Sequence, residues 1–167
     1  MLRFTLRSLL AFVTLCAVAA AIGAHYFLGP DPVTYIATRA DWDAAIEHNR
    51  CVVFVDGDWN GDMVLFRRPY TKFAEWSQDQ PDIVALAMKI DPNNETNDAW
   101  KICDELWTTN RISRGGLKNY HGAGRVIWID HGKVVDHAWC MELMGDDEIE
   151  NIDKLMTRTR NAFKLPR

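Results

Sequence analysis

Cysteine is scarce in this chain, with four among 167 residues, too few for a fold built as a disulfide scaffold. Positive charge is not in excess either. The formal net charge is −4, and residues 31–167 hold 17 of the 19 bases against all 23 acids. That balance excludes a basic protein that grips duplex nucleic acid. Internal repeats, low-complexity tracts, and C-x-x-C or H-E-x-x-H patterns are all missing from the sequence, so no zinc site and no cofactor is implied. What is present suits one ordinary domain. The 48% hydrophobic and 25% charged residues can bury a core, and the length leaves no room for a second full domain.

Residues 8–30 carry no charge. As a helix they would reach roughly 34 Å, against about 30 Å of bilayer hydrocarbon. Arg3 and Arg7 precede this run, and only Arg39 follows closely, which predicts a cytoplasmic N-terminus and a body outside the membrane. Residues 1–30 are therefore read as a single-pass membrane anchor or uncleaved signal sequence and residues 31–167 as the domain it carries. A cleaved signal peptide is the alternative, because Ala19-Ala20-Ala21 or Ala21-Ile22-Gly23 resembles a small-residue cleavage site.

Apolar spacing predicts the body's elements. A short strand over 33–36 precedes a helix over 41–46, whose Trp42, Ala45 and Ile46 recur at helical steps. The runs 51–55 and 83–90 are continuous and apolar, as in strands buried on both faces. Met63, Phe66, Tyr70 and Phe73 form the stripe of a helix kinked where Pro69 removes a backbone donor, and Ala99, Ile102, Cys103 and Leu106 form that of another. Residues 126–129 and 134–140 read as a hairpin across Asp130-His131-Gly132-Lys133. The final helix, 146–163, is expected to turn Ile149, Ile152 and Met156 inward.

This order resembles the thioredoxin fold, an α/β architecture with a central mixed sheet flanked by helices. Asp41-Trp42-Asp43-Ala44-Ala45-Ile46, Asp58-Trp59, Ile90-Asp91-Pro92-Asn93 and Gly132-Lys133-Val134 are all similar to text of that superfamily, over roughly residues 35–163. The resemblance implies that the chemistry would sit in Trp-Cys-x-x-Cys at a helix start, which lowers the first thiol's pKa. Here the matching residues are Trp59, Asn60, Gly61, Asp62 and Met63, so the motif is degenerate. Phe54 stands where many members carry a buried acid, and Gly124 where they carry a cis-proline. Pro69 lies within one residue of the family's helix proline.

Other residues bear on function. Asp56, Asp58 and Asn60 with Gly61 open a D-x-D-x-N-G calcium pattern, but its twelfth position is Arg67 where a bidentate glutamate belongs. Cys103 reads as core, and Cys51 as core or one half of a disulfide. By the family's hairpin, Cys140 is expected near Asn60 and Met63. Between residues 108 and 125 the chain holds Arg111, Arg114, Lys118 and Arg125 with no acid, plus Tyr120 and His121. The expected binding rim is therefore Asp58, Gly124, Cys140, Arg111, Arg114 and Arg125. The leading functional reading is a membrane-anchored, exported binding module for a protein or peptide, without dithiol chemistry. The alternative is a single-thiol redox or thiol-transfer enzyme using Cys140, alone or with Cys51.

Overall fold

The computed structural model describes residues 13–14, 32–47, 50–57, 61–91, 98–110 and 124–166, apart from the side chain of Asp62. The chain divides into two units, Met1–Asp31 and Pro32–Arg167. In the first, only Val13 and Thr14 are described, both helical. The anticipated span over 8–30 otherwise lies outside the described residues, among which no helix is long and apolar enough to cross a membrane.

The second unit runs β1 (Thr34–Ile36), α1 (Arg39–Ile46), β2 (Arg50–Asp56), α2 (Gly61–Gln78), β3 (Ile83–Lys89), α3 (Asp98–Thr109), β4 (Arg125–Asp130), β5 (Lys133–Trp139), α4 (Cys140–Leu143) and α5 (Glu148–Ala162). The strands form one mixed sheet in the order β1-β3-β2-β4-β5. β1 and β2 run parallel to β3, while β4 is antiparallel to β2 and β5 to β4. β2 has neighbours on both edges and helices over both faces, which is why its sequence is a continuous apolar run rather than an alternating one.

Register and pleat sort the side chains into two layers. Phe54 pairs with Val126, and Val52 with Trp128, on the face covered by α2 and α5. There Phe54 meets Phe66 and Tyr70 at ring separations of 5.3 and 5.2 Å, and the stack continues through Phe73 to Trp76. The Tyr70 hydroxyl lies 2.6 Å from the Val52 carbonyl and 2.7 Å from that of Leu86, so its single proton is shared between β2 and β3. Burial pushes its pKa well up. On the opposite face the Cys51 thiol donates to the Ala45 carbonyl of α1 at 3.1 Å. Each fully buried aromatic or aliphatic side chain contributes about 1.5–3 kcal/mol relative to exposure.

Capping explains where the helices begin. The hydroxyl of Thr38 accepts from the Asp41 amide, and the Asp41 carboxylate accepts from the Thr38 amide, a reciprocal box that starts α1 at Arg39. Asp147 caps α5 by accepting from the Glu150 amide at 2.8 Å. Pro69 lies inside α2, which runs unbroken to Gln78.

Two expectations are corrected. Cys140 is not the end of a strand: β5 stops at Trp139, whose amide donates to Glu142 Oε1, and the chain turns into the short α4. The buried stripe of α5 is Asn151, Leu155 and Thr159, while Ile149 is exposed and Ile152 half-buried; Met156 does pack against the core, from a half-buried position. The reason is that two polar residues have interior partners. Asn151 accepts from the Gly145 amide, and Thr159 accepts from the Trp128 indole at 2.8 Å while donating to the Leu155 carbonyl.

Thr159→Val is expected to leave the buried Trp128 N–H unsatisfied and to cost about 1–3 kcal/mol. Urea denaturation measures it, and Thr159→Ser, which keeps the hydroxyl, should cost less.

Candidate functional site

The end of β2, the start of α2, the start of β4 and the start of α4 converge at one point. Met63 is fully buried in the first turn of α2, and Cys140 is nearly so. Between them lies Gly124 at φ +81°, a backbone conformation in which an L side chain is strained. A Cβ on Gly124 would stand 3.3 Å from Met63 Cγ and 3.5 Å from both Met63 Sδ and Cys140 Sγ. Both backbone groups of Gly124 are engaged. Its amide donates to the Val55 carbonyl at 2.6 Å, and its carbonyl accepts from the Cys140 amide at 2.7 Å. The structure thus brings Met63, Gly124 and Cys140 together, but as a closed apolar contact. They do not line a surface groove, because the thioether and thiol fill the space that the missing side chain leaves.

The ionisable groups nearby are tied to one another. Asp56 is buried at the end of β2 and pairs with Arg67 Nε at 2.8 Å. Arg67 is the twelfth residue of the calcium-like pattern, and its Nε engages Oδ2 of this carboxylate, while Oδ1 is buried without a hydrogen-bond partner among the described residues. Asp58 and Asn60, the other residues of that pattern, lie outside the described residues. Among described residues no group of His, Cys, Asp and Glu could hold a metal.

Arg125 is a second correction. The basic rim expected from the sequence includes it, yet it is buried at the start of β4. Its guanidinium stacks 3.9 Å from the Trp139 ring centroid and 5.6 Å from that of Trp107. Pleat explains the placement, since Arg125 pairs with Trp139 across the hairpin and both face α3. Nη1 of Arg125 lies 3.0 Å from His137 Nδ1. An arginine only donates, so Nδ1 accepts and a neutral His137 carries its proton on Nε2. Burial first, and then the Arg125 cation, hold the His137 pKa below the ordinary value, with Asp136 opposing them. Asp136 is in turn held by Arg158, at 2.7 and 3.1 Å.

The thiols are poorly placed for chemistry. Burial pushes the Cys51 pKa up to about 11 and that of Cys103 higher still, whereas a reactive thiol needs an accessible thiolate. Cys51, Cys103 and Cys140 form no disulfide. Of the remaining sequence candidates, Gly61 is exposed at the start of α2, and Trp59, Asn60, Asp58, Arg111 and Arg114 lie outside the described residues. Sequence reasoning missed Val64, Leu65 and Met141, apolar residues exposed on either side of the closed contact. The run Met63-Val64-Leu65-Phe66 was the available signal, because four successive apolar residues cannot all face one side of a helix.

No protein-family model and no curated protein matches the sequence. Among solved structures, the chain is similar to a single-site mutant of the thioredoxin from Halobacterium salinarum NRC-1, with 15% identity, a TM-score of 0.50, and coverage of 83% of this chain and 96% of that one. Thioredoxin f2 of Chlamydomonas reinhardtii aligns at 16% identity and TM-score 0.48, covering 81% and 99%, and the thioredoxin of Trypanosoma brucei brucei at 15% and 0.46, covering 79% and 96%. The first of these carries the conclusion that the body has a thioredoxin-like fold.

Two outcomes follow from the geometry. Gly124→Ala is expected to destabilise the chain by about 1–3 kcal/mol through the left-handed backbone and the crowding of Met63. In a Met63→Ala background the same change should cost less, which a double-mutant cycle in urea will show. His137 favours its neutral form in the folded state, so its contribution to stability is present above pH 6.5 and is lost as pH falls through its lowered folded value. His137→Gln should flatten the fall in melting temperature below pH 6.5.

Proposed function

We propose that this chain is a membrane-anchored, exported thioredoxin-fold domain that performs no dithiol redox chemistry and serves as a binding module for a protein or peptide. One observation carries the reading. The residue at the second thiol's place, Met63, is fully buried against Gly124 and Cys140. A thioether has no proton to lose, and a site that must attack a disulfide needs its sulfur accessible. The first thiol's place is taken by Asn60, which supplies no nucleophile near neutral pH. The single-thiol alternative is disfavoured by the same contact, since Cys140 is enclosed by it. What remains is a rigid fold with a sealed centre and apolar residues exposed around it, a composition that suits recognition. The anchor reading rests on the uncharged run over 8–30 and on Arg3 and Arg7 before it.

The purified chain is expected to give insulin reduction at background rate in the presence of dithiothreitol, unchanged by Cys140→Ser. Turnover that disappears with Cys140→Ser would replace the binding module with a thiol enzyme. In cell fractionation the chain should partition with membranes, with its body accessible from the extracytoplasmic side. Recovery of a soluble chain beginning near Ala21 would convert the anchor into a cleaved signal peptide.

A further inference from the structure

The sealed contact is the last rung of the β4–β5 ladder. Arg125 pairs with Trp139 across that ladder, and immediately beyond them the Cys140 amide donates to the Gly124 carbonyl at 2.7 Å. The Arg125 guanidinium is therefore carried one residue from Gly124. The indole on which it stacks, 3.9 Å away, is carried one residue from Cys140. Gly124, Arg125 and Cys140 are buried, whereas His137 and Trp139 are half-buried and within reach of solvent.

His137 sets the terms on which Arg125 stays between the indoles. Its Nδ1 accepts from Arg125 Nη1 at 3.0 Å, which requires a neutral ring, because an imidazolium donates from both nitrogens. Protonation would set two donors and two positive charges against each other across that distance. The other charges around the ring are already engaged. Asp136 on β5 favours the charged ring, but it holds Arg158 of α5 and the His137 amide. Glu142 on α4 favours it too, and it holds the Trp139 amide and meets Arg158 at 3.4 Å. Arg158 acts with Arg125 against the charged ring. α3 brings the Trp107 ring, 5.6 Å from the Arg125 guanidinium, and carries Asp104 one turn before it.

We propose that His137 is an acid-operated latch on the Met63–Gly124–Cys140 contact: its protonation drives Arg125 out from between Trp107 and Trp139, breaks the Gly124–Cys140 rung and opens the Cys140 thiol to solvent. The closed state holds the His137 pKa below 6.5. The latch is thus shut at neutral pH and loosens as pH falls through that lowered value. Its opening constant can rise by no more than about tenfold for each unit of that lowering. The opening is local, confined to the end of the hairpin, and it does not depend on which partner the domain binds.

The test is reaction of the purified full chain with 4,4′-dithiodipyridine at about pH 7.5 and about pH 5, with each thiol read by peptide mass spectrometry. The rate at Cys140 is divided by that of glutathione at the same pH, which removes the ordinary loss of thiolate. This ratio is expected to rise about threefold or more on acidification, while the ratios for Cys51 and Cys103 stay unchanged. In His137→Gln, whose amide oxygen can accept from Arg125 at either pH, the Cys140 ratio should not rise. Hydrogen exchange supplies a reading that needs no variant. Protection of the Cys140 amide should fall over the same range while that of Val53, on central β2, is kept. A Cys140 ratio equal at the two pH values, a common rise of all three thiols, or the same rise in His137→Gln would overturn the inference. Loss of protection shared by Cys140 and Val53 would overturn it too, by showing global unfolding in place of a latch.

Discussion

The left-handed backbone at Gly124 is the constraint on which the functional end of the body depends. Its amide is fixed to the central strand through Val55, and its carbonyl holds the first amide of α4. Its missing side chain leaves the volume that Met63 and Cys140 fill. The three consequences belong together. A Cβ there would crowd Met63, and the Cys140 bond adds to the burial of Cys140 and Leu143 in fixing α4 against the core. Because the sulfur contact is sealed, this end of the fold contributes rigidity, and any recognition is left to its neighbours.

Buried charge is held by partners drawn from neighbouring elements. Arg125 lies between two indoles and donates to His137, while Asp56 is held by Arg67. Arg158 ties Asp136, the His137 carbonyl and the Trp128 ring to α5. Taking an ion out of water costs several kcal/mol unless its partners are well placed. Such groups therefore add little net stability, but they penalise every arrangement in which they lose their partners. The Arg125–His137 pair sits where β4, β5 and α3 meet, so a slip of one residue in the hairpin would send Arg125 to the face of α2 and α5, away from both indoles.

Most of the fold was legible in the sequence because its apolar runs are either continuous, as in β2 and β3, or spaced at helical steps, as in α2 and α3. What was not legible involved polar residues in the interior. Asn151 and Thr159 take inward positions on α5 that a hydrophobicity count assigns to Ile149 and Ile152, because their partners, the Gly145 amide and the Trp128 indole, come from elsewhere in the chain. Arg125 counts as surface charge in a linear reading, and only the pairing of β4 with β5 brings Trp139 beneath it. In both cases the deciding partner lies outside the element itself, and no local pattern records it.

The exposed residues of α2 follow from helix geometry. Met63, Phe66, Tyr70 and Phe73 keep to one stripe and are buried. At about 100° per residue, Val64 and Leu65 point away from that stripe. A polar residue at either place would fold equally well, since nothing in the core needs them. Two apolar side chains in solvent are ordinary taken singly.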